Sequence, residues 1–180
     1  MLDSSLRLEP LTTAHSLTDF ECSHIPSMNE WFKHNALNAH STRMTRVFVL
    51  CGDDKRPLGF FTLSGFCLEV EHLSNRDGNS YKSKTVPAHY LGRIAVDKSL
   101  KGEGVGSFLI GAAFKTYAKI LDLTTSNFLF LHANSEFLAK YYEQYGFKRS
   151  FAALGDGEPI PMYIKSRAIL KYLADQKLVN

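Results

Sequence analysis

Apolar and polar positions change period several times along this chain, and each change predicts an element. Residues 45–51 ("TRVFVLC") and 58–70 ("LGFFTLSGFCLEV") are β-branched and aromatic runs separated by "GDDKRP", the pattern of an antiparallel hairpin with a longer loop. Upstream, "PSMNEWFKHNALNAH" (26–40) puts Met28, Trp31, Phe32 and Asn35 on one helical face, with Pro26 just outside and Ser27 and Glu30 at capping-box spacing. "AHYLGRIAVD" (88–97) alternates as a strand. His89, Leu91, Arg93, Ala95 and Asp97 face one way, and Tyr90, Gly92, Ile94 and Val96 the other. A helix follows to about Leu121, with Val105, Phe108, Leu109 and Ala112 as its apolar stripe. "NFLFLHA" (127–133) is apolar enough for a buried central strand.

"SEFLAKYYEQYG" (135–146) predicts a second helix that stops at Gly146, with Phe137, Leu138, Tyr141 and Tyr145 as the core stripe. At roughly 100° per residue, Tyr142 falls about 85° from the centre of that stripe and is expected to border the core. "FKRSFAA" and "PMYIKSR" supply closing strands, "AILKYLADQ" a last helix, and the polar "LSNRDGNSYKSKTVP" (73–87) a surface loop. The order is hairpins first, then strand–helix–strand–helix–strand, which makes an α+β or α/β domain with one mixed sheet.

Composition narrows the class. A chain of 180 residues suits one domain spanning 1–180, and 44% hydrophobic with 22% charged residues is ordinary for a globular protein with a real core. The formal net charge of +3 permits an anionic partner without the dense basic face of a dedicated nucleic-acid binder. Cys22, Cys51 and Cys67 include no C-x-x-C pair, which argues against a disulfide framework or zinc knuckle and suits a reducing cytosol. The start "MLDSSLRLEPLTT" has no apolar h-region, and no stretch approaches the ~18 apolar residues of a span, so a cytoplasmic protein without membrane association is expected. His24, His34 and His40 show no metal spacing with nearby carboxylates, and no metal is assigned.

The chemistry starts at residues 101–106, "KGEGVG", between the 88–97 strand and the following helix. The spacing is neither that of a P-loop, which needs G-x-x-x-x-G-K-[ST], nor that of a dinucleotide fingerprint. Two alternatives stay open on the loop alone. Glycines let backbone N–H groups approach an anion at a helix N-terminus, and they also serve as a plain turn.

The surroundings extend this. "LGRIAVDKSLKGEGVGSFLIGAAF" resembles motif A of the GNAT acetyltransferases, a strand ending in Ala-Val-Asp, a glycine loop and a helix. Lys101 stands where Gln or Arg is usual, Gly104 and Gly106 fall on motif positions, and Glu103 is a charge inside the loop with its side chain expected in solvent. "AKYYEQYGF" (139–147) resembles a second segment of the family, in which the Tyr four residues before the Gly is often the general acid; that position is Tyr142. The resemblance implies a mixed, splayed sheet flanked by helices and acetyl-CoA as co-substrate. It also implies cofactor contacts from Ile94, Ala95, Val96, Lys101, Gly102, Glu103, Gly104, Val105, Gly106, Ser107 and Asn134.

Acetyl transfer to an amine needs a neutral amine, a donor for the carbonyl oxygen, alignment, and a proton for the leaving thiolate. Backbone N–H groups of 91–96 and the Tyr142 hydroxyl could supply the second and fourth. The base is less evident. No Asp or Glu lies mid-strand on 88–96; His89 and the terminal Asp97 are nearest, with Glu69 and Glu71 at the end of the hairpin. An α-amine, with pKa near ~7.7–8.0, needs less help than a lysine near ~10.4, so the pattern leans toward an α-amine.

The N-terminal third narrows the family. Residues 17–50 resemble GNAT toxins of bacterial toxin–antitoxin pairs, carried by Phe20, Cys22, Pro26, Ser27, Asn29, Trp31, Ala36, Leu37, Asn38, Arg46, Phe48 and Val49. The resemblance covers about residues 8–165, with a tail at 166–180; Met28 and Phe32 replace the usual leucines, and the 73–87 segment and the tail are longer than the pattern. It implies acetylation of the α-amino group of aminoacyl-tRNA and neutralisation by a ribbon-helix-helix antitoxin, and it leaves a homodimer open. Arg93 is the foremost candidate for tRNA phosphate, with Lys33 and Arg46 beside it; Arg43, Lys82, Lys84, Lys148 and Arg149 complete the set. Small-molecule or protein amines, and a catalytically weak CoA-binding module, are the alternatives.

Overall fold

The computed structural model describes residues 5–22, 25–151 and 157–179, with side chains through Gln176. Among the described residues, seven strands form one mixed sheet in the order β1-β2-β3-β4-β5-β7-β6, and six α-helices accompany it. The chain divides into two compact units, residues 1–64 with 91–113, and 65–90 with 114–180. Among the described residues, no helix is long and apolar enough to cross a membrane.

The first unit is built on the predicted hairpin. β2 (Arg46–Cys51) and the early part of β3 (Pro57–Glu69) pair antiparallel from Arg46↔Leu63 to Cys51↔Pro57, and β1 (Arg7–Pro10) adds antiparallel to β2. The predicted 26–40 helix is two helices, α1 (Pro26–His34) and α2 (Ala36–Ser41), joined at Asn35 with φ −117°. The Ser27–Glu30 capping box does not form. Pro26 already occupies the first helical turn, so the cap position falls on Ile25, which makes no side-chain cap bond. The expected face is nonetheless the packed one: Phe32 is fully buried, with its ring 4.1 Å from Phe60 and 4.7 Å from Phe20, while Met28 and Trp31 lie against the same cluster.

The second unit holds β5 (Phe128–Ala133), whose six residues pair antiparallel with β7 (Ile160–Lys165). β4 (Thr85–Val96) runs parallel to β5 with Ala88↔Phe128, His89↔Leu129 and Tyr90↔Phe130 in register, and β4 itself continues to Val96. The "FKRSFAA" strand is short: β6 covers Lys148–Arg149, and residues 152–153 of that expectation lie outside the described residues, as does His24. The last helix, α6 (Ser166–Val179), is longer than predicted.

The 73–87 segment is not simply surface loop. It contains a four-residue helix, α3 (Asn75–Gly78), in which the Ser74 hydroxyl accepts the Asp77 N–H. Leu73 and Val86 join the core around Phe128, Phe130 and Tyr163, and Asp77 is only 2% exposed. Its carboxylate accepts from Lys148 (2.8 Å), Lys165 (2.6 Å) and the Tyr163 hydroxyl (3.1 Å). Polar composition mispredicts such a stretch because the partners that allow a charge to be buried are remote in sequence. The helix after the glycine loop, α4, spans Val105–Leu121 as expected; Val105, Leu109 and Ala112 of its stripe are buried, but Phe108 is 41% exposed.

Removing the ring at the centre of the first unit's aromatic cluster tests this packing. Phe60→Ala is expected to cost about 3–5 kcal/mol in urea unfolding. A loss below ~1 kcal/mol would contradict the cluster.

Candidate acetyl-transfer site

The glycine loop is positioned by a buried charge. Asp97, at the end of β4, is 1% exposed, and its Oδ2 accepts the Glu21 N–H at 3.0 Å. Its Oδ1 accepts the Ser99 N–H (3.0 Å) and hydroxyl (2.6 Å), and Arg56 Nη2 lies 3.5 Å away. Burial pushes the Asp97 pKa up, but the Ser99 and Glu21 donors and the Arg56 charge outweigh it and hold the carboxyl below its ordinary value. Asp97 therefore clamps the strand end to the loop and is not a free base.

After one 3-10 turn (Lys98–Leu100), the chain reverses through Gly102 at φ +88° and Gly104 at φ +76°. Both conformations favour glycine, and a Cβ at either position would meet no heavy atom within 4 Å. Residues 101–104 are exposed, Glu103 included, as expected. α4 then begins at Val105, which puts a helix N-terminus directly after that exposed loop. A Cβ on Gly59 would sit 3.0 Å from Leu109 Cδ1 and 3.2 Å from the Ala95 carbonyl, so the missing side chain lets α4 lie close on the sheet.

The register of β4 sorts the three expected strand contacts. Arg93 N–H bonds Thr62 Oγ1 (2.9 Å) and Asp97 N–H bonds Leu58 O (2.9 Å), so odd-numbered amides face β3. Alternation then puts Ile94 and Val96 amides on the opposite edge, whereas Ala95 faces β3 and cannot offer its backbone to a ligand there. The Arg93 guanidinium lies 3.9 Å above the Trp31 ring. Lys33 shares α1 with Trp31, and Arg46 on β2 is exposed; burial, and then the Arg46 charge, keeps His40 below its ordinary pKa.

Tyr142 is not where helical periodicity placed it. On α5 (Glu136–Glu143), started by the Ser135 cap, Ala139 and Tyr142 form the inward face, and Tyr142 is 6% exposed beside Phe147, with ring centroids 5.8 Å apart. Phe137, assigned to the core stripe, is 78% exposed, and Tyr141 and Tyr145 are half-buried with their hydroxyls 3.3 Å apart. A helix of eight residues is too short for its largest side chains to define its inner face, and small Ala139 marks the close approach instead. Burial, reinforced by Tyr141, drives the Tyr142 pKa above the ordinary tyrosine value, so it remains a proton donor. Asn134 is exposed just before the Ser135 cap.

Of the other base candidates, His89 is engaged, while Glu69 and Glu71 are exposed. His89 Nδ1 lies 3.0 Å from Ser126 Oγ, and burial lowers its pKa. Glu69 sits beside His72 at 3.8 Å. A pair that sequence reasoning missed is Tyr90–His132, with the hydroxyl 3.0 Å from Nδ1; burial, then the charge of His72, lowers the His132 pKa and keeps it neutral. Only pairing across β4 and β5 brings these residues together, so no linear spacing announces them. Of the remaining cations, Arg149 is held by Glu136 and Glu143 at 2.6–2.7 Å, which raise its pKa, and Lys148 is bound to Asp77.

Two outcomes test the loop. Asp97→Ala is expected to destabilise by about 3 kcal/mol by stranding buried donors. Because the folded pKa is depressed, the wild-type advantage is full above the unfolded value near ~3.9 and disappears as pH falls through the folded one. Gly104→Asp places a strained, charged side chain in the loop and is expected to weaken acetyl-CoA about tenfold or more by calorimetry; unchanged affinity in a folded variant would refute the loop's role.

Comparison with known proteins agrees with this geometry. A family model for the acetyltransferase (GNAT) domain matches residues 45–149. The tRNA-acetylating toxin of Mycobacterium tuberculosis (strain ATCC 25618 / H37Rv) is 26% identical over 140 residues, covering 78% of this chain and 82% of that protein. AtaT complexed with acetyl-methionyl-tRNAfMet is similar at TM-score 0.83 and 25% identity, over 93% of this chain and 99% of that one. A mutant AtaT toxin bound to the C-terminus of the antitoxin AtaR and acetyl-CoA is similar at TM-score 0.76 and 25% identity, over 94% and 98%. With its glycine loop, helix start and buried tyrosine inside a match that spans more than half its length, the chain belongs to the GNAT acetyltransferase family.

Proposed function

We propose that the protein is a translation-blocking toxin of the cytoplasm that transfers an acetyl group from acetyl-CoA to the α-amino group of aminoacyl-tRNA. The observation that carries the choice of amine is the commitment of Asp97: both its oxygens are engaged in the loop clamp, so the strand end offers no free carboxylate base. An α-amine, already substantially neutral near pH 7.7–8.0 (roughly), suits such a site better than lysine. The relatives that acetylate tRNA, matched over most of their length, support the same substrate class.

Acetyl-CoA supplies the activated acetyl thioester. Lys101, Gly102, Gly104 and the first-turn amides of α4 would hold its pyrophosphate, since exposed positive-φ backbone beside a helix N-terminus is suited to an anion. The Ile94 and Val96 amides would carry charge developing on the carbonyl oxygen. Tyr142 gives a proton to the departing sulfur. Neutral His132, ordered by Tyr90, accepts the proton lost by the amine. Arg93, with Lys33 and Arg46, meets tRNA phosphate, and a ribbon-helix-helix antitoxin is the expected neutralising partner.

Tyr142→Phe keeps the ring and removes the donor. Transfer of labelled acetyl to aminoacyl-tRNA is expected to fall about 10²–10⁴-fold in kcat with acetyl-CoA affinity unchanged, while Tyr141→Phe and Tyr145→Phe stay near wild type. Because the Tyr142 pKa is raised, no descending kcat limb from this group is expected below about pH 10. Full activity in Tyr142→Phe would remove it as the acid, and a wild type inert on every charged tRNA would move the substrate to another amine.

A further inference from the structure

Residues 73–87 and the chain after Ser166 meet in the second unit. A cavity of about 220 Å³ is walled by Arg76 and Asp77 from the first, Arg167 from the second, and Lys148, Tyr163 and Lys165 from β6 and β7. Four cations thus face one carboxylate. Asp77 fixes two of them, binding Lys148 Nζ and Lys165 Nζ while accepting the Tyr163 hydroxyl. Burial pushes the Asp77 pKa up, but these three donors pull it well below the usual carboxylate range, so the clamp stays ionised at neutral pH. Each ammonium has three N–H donors and spends one on Asp77, which leaves two aimed elsewhere.

The arginines differ from Arg149, whose charge is cancelled by two glutamates. Neither Arg76 nor Arg167 forms an ion pair among the described residues, and both are exposed. Lys165, by contrast, has a side chain only 23% exposed. The cavity wall therefore carries two ammonium groups held by a buried acid and two arginine forks at exposed positions. Arg167 also lies in the first turn of the fourteen-residue α6, whose N-terminal amides add positive potential to the same wall. Paired forks above fixed ammonium groups suit a backbone that passes over the cavity with one phosphate entering it.

We infer that this cavity is a phosphodiester site that takes the RNA backbone of the substrate, an inference that rests on the aminoacyl-tRNA reading above. It gives the two segments a shared purpose: both bring a cation to one anion site.

The test uses the full chain with fluorescein-labelled, uncharged tRNA, so that binding is read without catalysis. Wild type is expected to lose affinity steeply with salt. Arg76→Gln/Arg167→Gln, both changes at exposed positions, should weaken binding about tenfold or more near 0.15 M salt and reduce the log–log salt slope by about 1–2. Calorimetry with CoA and with dephospho-CoA should give the same affinities in variant and wild type. Unchanged tRNA affinity and slope in the double variant would overturn the inference while leaving the tRNA reading intact. A variant weakened only for CoA would reassign the cavity to the cofactor's 3′-phosphate, and one weakened only for an acidic hexaglutamate peptide would reassign it to a protein partner. A wild type that does not bind tRNA would overturn the underlying reading and this inference with it.

Discussion

A buried carboxylate organises the glycine loop and the start of α4. Asp97 sits at the last turn of the strand with almost no solvent contact, and an unpaired charge there would cost several kcal/mol (roughly). It is stable only because Glu21, Ser99 and Arg56 converge on it. Satisfying it ties the N-terminal segment, the hairpin arginine and the loop to one point. The chain leaves that point through Gly102 and Gly104 in conformations glycine tolerates best, and α4 can start directly afterwards. Loop geometry is thus a consequence of charge burial, and so is the removal of Asp97 from the list of bases.

The second unit applies the same physics to a different end. Asp77, buried in the segment whose composition suggested a loop, is made tolerable by Lys148, Lys165 and Tyr163. In the first unit the satisfied acid shapes backbone; in the second it spaces ammonium groups along a cavity wall. Tyr142 shows burial acting on a neutral group: with little water to stabilise phenolate, the hydroxyl keeps its proton. His132 shows the converse, since burial disfavours imidazolium and leaves a neutral acceptor.

Strong periodic signals and local turn chemistry were legible from residue order. The 46–69 hairpin, the β4–loop–α4 passage, the β5 run and the end of α5 near Gly146 all appear as alternation, helical spacing and glycine placement predict. So was the acetyltransferase family, because the glycines and Tyr142 lie at fixed local separations within two short segments. These features depend on neighbours along the chain, and neighbours are what a sequence lists.

Side-chain facing and charge pairing were decided by tertiary structure. Helical spacing put Phe137, Tyr141 and Tyr145 inside and Tyr142 at the border, yet the fold buries Ala139 with Tyr142 and leaves Phe137 in solvent. Alternation could divide β4 into two faces but could not say that Ala95 turns its backbone to β3 while Ile94 and Val96 do not. The Tyr90–His132 pair and the Asp77 cluster join residues 42 to 88 positions apart by number. Burial free energy is set by whatever partners arrive in three dimensions, so a local pattern determines which elements form, and only packing determines which of their groups lose water and which remain able to do chemistry.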